Sequence, residues 1–134
     1  MGYFDQSGNI KVELLDEKAN SLAASFVEIN PRNQRPTRGS LSSAQLRRFF
    51  GEFRQLEKKV KVMDFDRVKP LIKMVKSKAS YAANPSNPKI PGSFKKFLIQ
   101  NIDDINTKED FEAFMLHFEA VVGFFYGIEG VGGN

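Results

Sequence analysis

The chain contains no cysteine. That excludes a disulfide framework, thiolate catalysis and any zinc, haem-thiolate or iron–sulfur site built on cysteine. It also suits a reducing compartment. The single histidine, His117, excludes histidine-cluster metal sites and mechanisms that need two imidazoles. No apolar run approaches the roughly 18–20 residues of a membrane-spanning helix. The opening residues MGYFDQSGNIK lack a basic stretch followed by an apolar one, so no cleaved secretory signal is expected. A cytoplasmic protein is expected. The patterns GxxxxGK[ST], GxSxG and HExxH are all missing. Asp103/Asp104 and Glu109/Asp110 are adjacent pairs near helix ends. Neighbouring helix residues do not face one another, so capping accounts for them better than acid–base chemistry. No catalytic residue, metal or cofactor is expected, and His117 reads as structural.

What remains is enough for a core. The chain has 134 residues, 41% of them apolar, which fits one domain over residues 1–134. Period-two alternation is absent, whereas helical spacing recurs. Residues 1–10 read as a short arm, expected to fray. Lys11 to about Ile29 predicts one helix, with Leu15, Ala19, Leu22, Phe26 and Ile29 inward. Residues 30–41 form a polar loop with two prolines. Ser42 and Gln45 suggest a capping box that opens a helix to about Met63. Its inward stripe is Leu46, Phe49, Phe50, Phe53, Leu56, Val60 and Met63. Asp64 or Asp66 opens the next helix, which ends near Ala83 and buries Val68, Leu71, Ile72, Val75, Ala79 and Ala82. Pro70 either lies in the first turn or kinks that helix. Residues 84–92, with three prolines, form a loop. A helix from Ser93 to about Ile105 buries Phe94, Phe97, Leu98, Ile102 and Ile105. Thr107 caps a last helix to about Tyr126, and residues 128–134 are expected to fray. Leu116, Ala120 and Phe124 on that helix read as core, or as a surface for a partner helix. The fold class is all-α, a compact bundle of about five helices with no sheet.

Charge is distributed unevenly. Residues 31–100 carry 17 basic and 4 acidic side chains. Residues 1–30 carry 2 basic and 5 acidic, and residues 101–134 carry 1 and 7. A basic middle of this strength suggests a polyanion partner. On the long helix, Arg47, Gly51, Arg54, Lys58 and Lys61 recur at spacings of 4 and 3, which places them on one line away from the apolar stripe. Like charges one turn apart repel by a few tenths of a kcal/mol. A row of phosphates would offset that repulsion. Gly51 costs about 1 kcal/mol in a helix interior and would admit a close backbone. Lys69, Lys73 and Lys76 repeat the spacing on the next helix, with Lys78 off the line. Arg32, Arg35 and Arg38 supply a basic loop. Tyr81 is the best base-stacking candidate. The candidate RNA-binding set is Arg35, Arg38, Arg47, Arg54, Lys58, Lys61, Lys73, Lys76, Lys78 and Tyr81. No groove-reading motif is present, so contacts to sugar and phosphate with little sequence preference are expected.

Three runs carry a resemblance. They are SLSSAQLRRFFGEFRQLE (Ser40–Glu57), LIKMVKSKASYAA (Leu71–Ala83) and FMLHFEAVVGFFYG, with Phe118, Glu119 and Ala120. Their order over about residues 37–127 resembles the small subunit of type III-A CRISPR effector complexes, the Csm complexes. Leu41, Ser42, Leu46 and Arg47 match that family's pattern. The chain departs after the lysine helix, where YAANPSNPK lacks the family's usual arginine and Lys89 is the nearest cation. The resemblance implies a non-catalytic subunit. It implies several copies stacked head to tail along a guide RNA–target RNA duplex, beside other Csm subunits, with no membrane and no small-molecule substrate. Arg47 is then the first RNA-contact candidate, followed by Arg54, Lys58, Lys76 and Lys78. Alternatives are the small subunit of a type III-B complex, a general single-strand RNA or DNA binder, and a helical protein-interaction module.

Overall fold

The computed structural model describes residues 2–128 and 131. Among these, a 3-10 turn at Val12–Leu15 precedes α1 (Glu17–Ser25), α2 (Ser43–Val62), α3 (Phe65–Ala82), α4 (Gly92–Asp104) and α5 (Lys108–Tyr126). Extended pairing among the described residues is limited to two isolated antiparallel bridges, Phe4–Ile10 and Ile29–Pro36. The all-α bundle expected from the sequence is the observed fold.

Two helix starts show why capping matters. The Thr107 hydroxyl accepts from the Asp110 N–H at 3.0 Å, and the Asp110 carboxylate accepts from the Thr107 N–H at 3.1 Å. Both donors at the start of α5 are therefore satisfied. At α2 only half of the expected box forms. Ser42 Oγ accepts from the Gln45 N–H at 3.2 Å, but Gln45 Oε1 is buried without a partner.

The core is centred on phenylalanine. Phe118 on α5 lies 5.3 Å from Phe97 on α4, 5.1 Å from Phe50 and 5.9 Å from Phe53 on α2, centroid to centroid. Phe26, at the end of α1, meets Phe94 at 5.1 Å. Most of these pairs are edge-to-face, worth about 0.5–1.5 kcal/mol each beyond the area they bury. This one cluster ties α1, α2, α4 and α5 into a platform beneath the charged surface.

Several expectations need correction. The predicted helix over Lys11–Ile29 is divided into the 3-10 turn and α1, and it ends at Phe26. Ile29 leaves the helix to bridge Pro36 and is exposed, and Leu14 is buried in place of Leu15. The arm at residues 2–10 is folded rather than frayed. Tyr3 is buried, and its hydroxyl donates to the Asn101 carbonyl and side chain at 3.0 Å. Burial, with Asp104 and Asp110 nearby, pushes its phenol well above the ordinary tyrosine pKa. Of the tail expected to fray, Ile128 and Val131 pack against the core. Residues 129, 130 and 132–134 lie outside the described residues. α3 begins at Phe65, so Pro70 lies inside the helix rather than in its first turn. Met63, Leu71 and Leu116 are partly exposed, not core.

Candidate nucleic-acid interface

α2 presents one long face to solvent. Its apolar stripe holds it on the core through Leu46, Phe49, Phe53, Leu56 and Val60. α3 flanks it on one side, where Lys78 pairs with Glu52. α5 flanks it on the other, where an Arg47 N–H donates to the Tyr126 hydroxyl at 3.3 Å. Between these flanks Arg47, Arg48, Lys58, Lys59 and Lys61 are exposed. None of them forms an ion pair among the described residues. Arg54 differs from the rest of its stripe. It pairs with Glu57 at 2.9 Å, approaches Glu119 at 3.9 Å and sits over the Phe50 ring at 4.8 Å. A cation so engaged has less charge to offer a ligand. Gly51 lies in mid-face with open space around it.

The α3 lysines have a different environment. Lys73 Nζ donates to the Ile102 carbonyl at 2.6 Å, and Lys76 Nζ meets the Asp103 carboxylate at 2.5 Å. Both acceptors belong to the last turn of α4. The negative end of the helix dipole lies there, and the Ile102 carbonyl, which also accepts from the Ile105 N–H at 3.2 Å, has a second lone pair for the lysine. Burial, then Lys69 and Lys76, lower the Lys73 pKa. These two lysines brace α3 against the end of α4. The structure therefore gives Lys73 and Lys76 partners within the chain, which the spacing did not suggest.

Arg35 and Arg38 are exposed on a loop that its own backbone holds. Asn30 and Thr37 N–H groups donate to the Arg35 and Glu28 carbonyls at 2.8 Å each. Gln34 adopts φ 59°, the left-handed region, to close the turn. Tyr81 is 74% exposed and borders a depression with Arg48, Lys78 and Lys89. The sequence pattern did not bring Arg48 and Lys89 into the candidate set. Arg48 falls off the helical stripe, and Lys89 lies in a proline-rich loop where periodicity says nothing.

His117 is buried. Its Nδ1–H donates to the Leu14 carbonyl at 2.5 Å, and burial lowers its pKa. Among the described residues, no three His, Asp or Glu side chains converge as metal ligands, and no helix is long and apolar enough to cross a membrane.

The fold and this charge distribution define a small helical protein with a basic face. The family model described as Csm2 Type III-A matches residues 9–128, and the chain belongs to that family. It is thus a small subunit of a type III-A CRISPR effector, a Csm complex assembled with other subunits, and Csm2 small subunits are of a non-catalytic kind. The match also takes in α1, which the resemblance over residues 37–127 did not cover. No curated protein and no solved structure matches the chain.

Proposed function

We propose that this chain is a non-catalytic RNA-binding subunit whose α2 face lies along the sugar–phosphate backbone of the guide RNA–target RNA duplex. One observation carries the reading. Arg47, Lys58 and Lys61 share an exposed face on which no carboxylate pairs with them among the described residues. Such a face costs repulsion in the free protein and recovers it against phosphates. Arg47 and Lys58 are the principal contacts, Lys61 extends the row, and Arg35 and Arg38 add a side arm. Arg54 contributes mainly by positioning. Lys73, Lys76 and Lys78 are secondary, because a carbonyl or a carboxylate of the chain already engages each, whereas Arg47 meets only the neutral Tyr126 hydroxyl. Several copies follow the duplex head to tail. The exposed Glu109, Glu112 and Glu119 around Leu116 on α5 suit contact with a neighbour's basic margin.

The test is a salt titration of binding to guide–target duplex, for the chain alone and with the other Csm subunits. Wild type is compared with Arg47→Glu plus Lys58→Glu. The log–log salt slope should fall by about 0.7–0.9 for each phosphate that is no longer neutralised. An unchanged slope with the fold intact would make the face a solvated surface and return the chain to the protein-interaction reading.

A further inference from the structure

Lys89 borders three adjoining depressions. One, of about 250 Å³, lies between α2 and α3 with Arg48, Lys78 and Tyr81 on its walls. A second, of about 80 Å³, also borders Tyr81 and adds Asn84 and Asn87. A third, of about 480 Å³, reaches Arg38. Because all three share Lys89, they form a track from Arg48 past Tyr81 to Arg38. Glu52 is the one carboxylate on the walls of the three, and it is taken up by Lys78. Arg38, Arg48 and Lys89 form no ion pair among the described residues.

The track is held in shape. The Ala82 carbonyl accepts from the Lys89 N–H at 2.7 Å and from the Ile90 N–H at 3.3 Å. Ile90 is buried, and Pro85, Pro88 and Pro91 restrict the loop between α3 and α4. The backbone at Lys89 is therefore placed before any ligand arrives. Tyr81 stands beside it with most of its surface in solvent.

Cations beside an exposed aromatic ring differ chemically from the α2 face, whose exposed residues include no aromatic. A duplex offers phosphates and sugars but hides the faces of its bases. An aromatic platform gains only from a base that is unpaired. We propose that this track binds single-stranded RNA, with an unpaired base stacked on Tyr81 and its flanking phosphates on Arg48 and Lys89. The inference rests on the proposed function in taking RNA as the ligand, and goes beyond it in strand state and in place.

The experiment uses the full-length chain at low salt. The probes are a single-stranded RNA oligomer carrying one 2-aminopurine and a duplex of the same sequence. Wild type should quench the 2-aminopurine of the single strand. Tyr81→Ala should abolish the quench and weaken single-strand binding by roughly 5- to 150-fold, the range base–aromatic stacking supports. Duplex affinity should be unchanged, and Tyr81→Phe should behave as wild type. Arg48→Ala with Lys89→Ala should lower the single-strand salt slope by about 0.7 for each cation removed. Equal losses on both RNAs in Tyr81→Ala would overturn the inference. So would competition by adenosine monophosphate as strong as that of the oligomer, which would mark a mononucleotide site. Duplex binding without any single-strand quench would remove this track and leave the α2 reading standing. Failure to bind either RNA, both alone and with the other Csm subunits, would remove both.

Discussion

Two rows of cations in this chain share one spacing and have different surroundings. On α2, Arg47, Arg54, Lys58 and Lys61 follow intervals built from 4 and 3, as do Lys69, Lys73 and Lys76 on α3. The α2 row faces solvent except for Arg54, which pairs with Glu57. In the α3 row, Lys73 and Lys76 reach Ile102 and Asp103 at the end of α4. Helical spacing identifies a shared face but not what covers it. The covering element arrives from 27 to 29 residues away in sequence. A cation that answers a helix C-terminus holds the fold together, while one that meets no carboxylate or carbonyl of its own chain keeps its charge for a partner.

His117 is a third group that clamps one segment to another. His117→Ala should cost about 3 kcal/mol, because it opens a hole beside Phe97 and leaves the Leu14 carbonyl without its donor. Chemical denaturation measures the loss. The same residue gives a pH signature. Its folded pKa lies below the ordinary 6.5, so the unfolded chain takes up the proton first. Its contribution is complete above about pH 6.5. It declines as pH drops from there towards the folded value. Denaturation midpoints collected between pH 8 and 5 should show this fall in wild type and lack it in His117→Ala.

The rows themselves separate next. Lys73→Ala with Lys76→Ala should lower stability by about 1–2 kcal/mol, since the variant removes a partly buried hydrogen bond to a carbonyl and a half-exposed ion pair. It should leave the RNA salt slope unchanged. Arg47→Glu with Lys58→Glu should do the reverse. If the α3 pair changed the slope and spared stability, the distinction between the rows would collapse. A smaller effect comes from Gly51→Ala. A Cβ there meets no atom within 4 Å, so thermal stability should rise by about 0.5–1 kcal/mol. If a phosphate backbone passes close to α2 at Gly51, duplex binding should weaken in the same variant. The smallest change belongs to Glu119→Gln. It should alter stability by no more than a few tenths of a kcal/mol, because its contact with Arg54 is long and exposed. A cycle with Arg54→Met measures that coupling.

Much of the architecture was legible in the sequence. α4 and α5 fall within one residue of their expected bounds, because Thr107 and Pro91 fix their starts and their apolar positions recur without a break. The first helix was less legible. Leu15, Ala19, Leu22, Phe26 and Ile29 keep helical period, yet Ile29 is drawn out by backbone hydrogen bonds around the 30–41 loop. The folding of the N-terminal arm depended on Tyr3 finding Asn101, 98 residues away, which no local pattern encodes. The candidate interface was legible as a stripe on α2. The grouping of Arg48, Tyr81 and Lys89 was not, because it draws on α2, α3 and a loop. Only the packing of α3 on α2 brings the three together.

The placement of the tyrosines also makes the molecule its own optical reporter. With no tryptophan to dominate emission, the signal comes from three tyrosines. Tyr3 is sealed and hydrogen-bonded to a carbonyl, Tyr126 is half-covered beside Arg47, and Tyr81 stands in solvent. Iodide or acrylamide therefore reaches chiefly Tyr81 in the folded chain and all three once it unfolds. Collisional quenching can thus follow the covering of one surface residue and the loss of the whole fold in one cuvette, without attaching a dye.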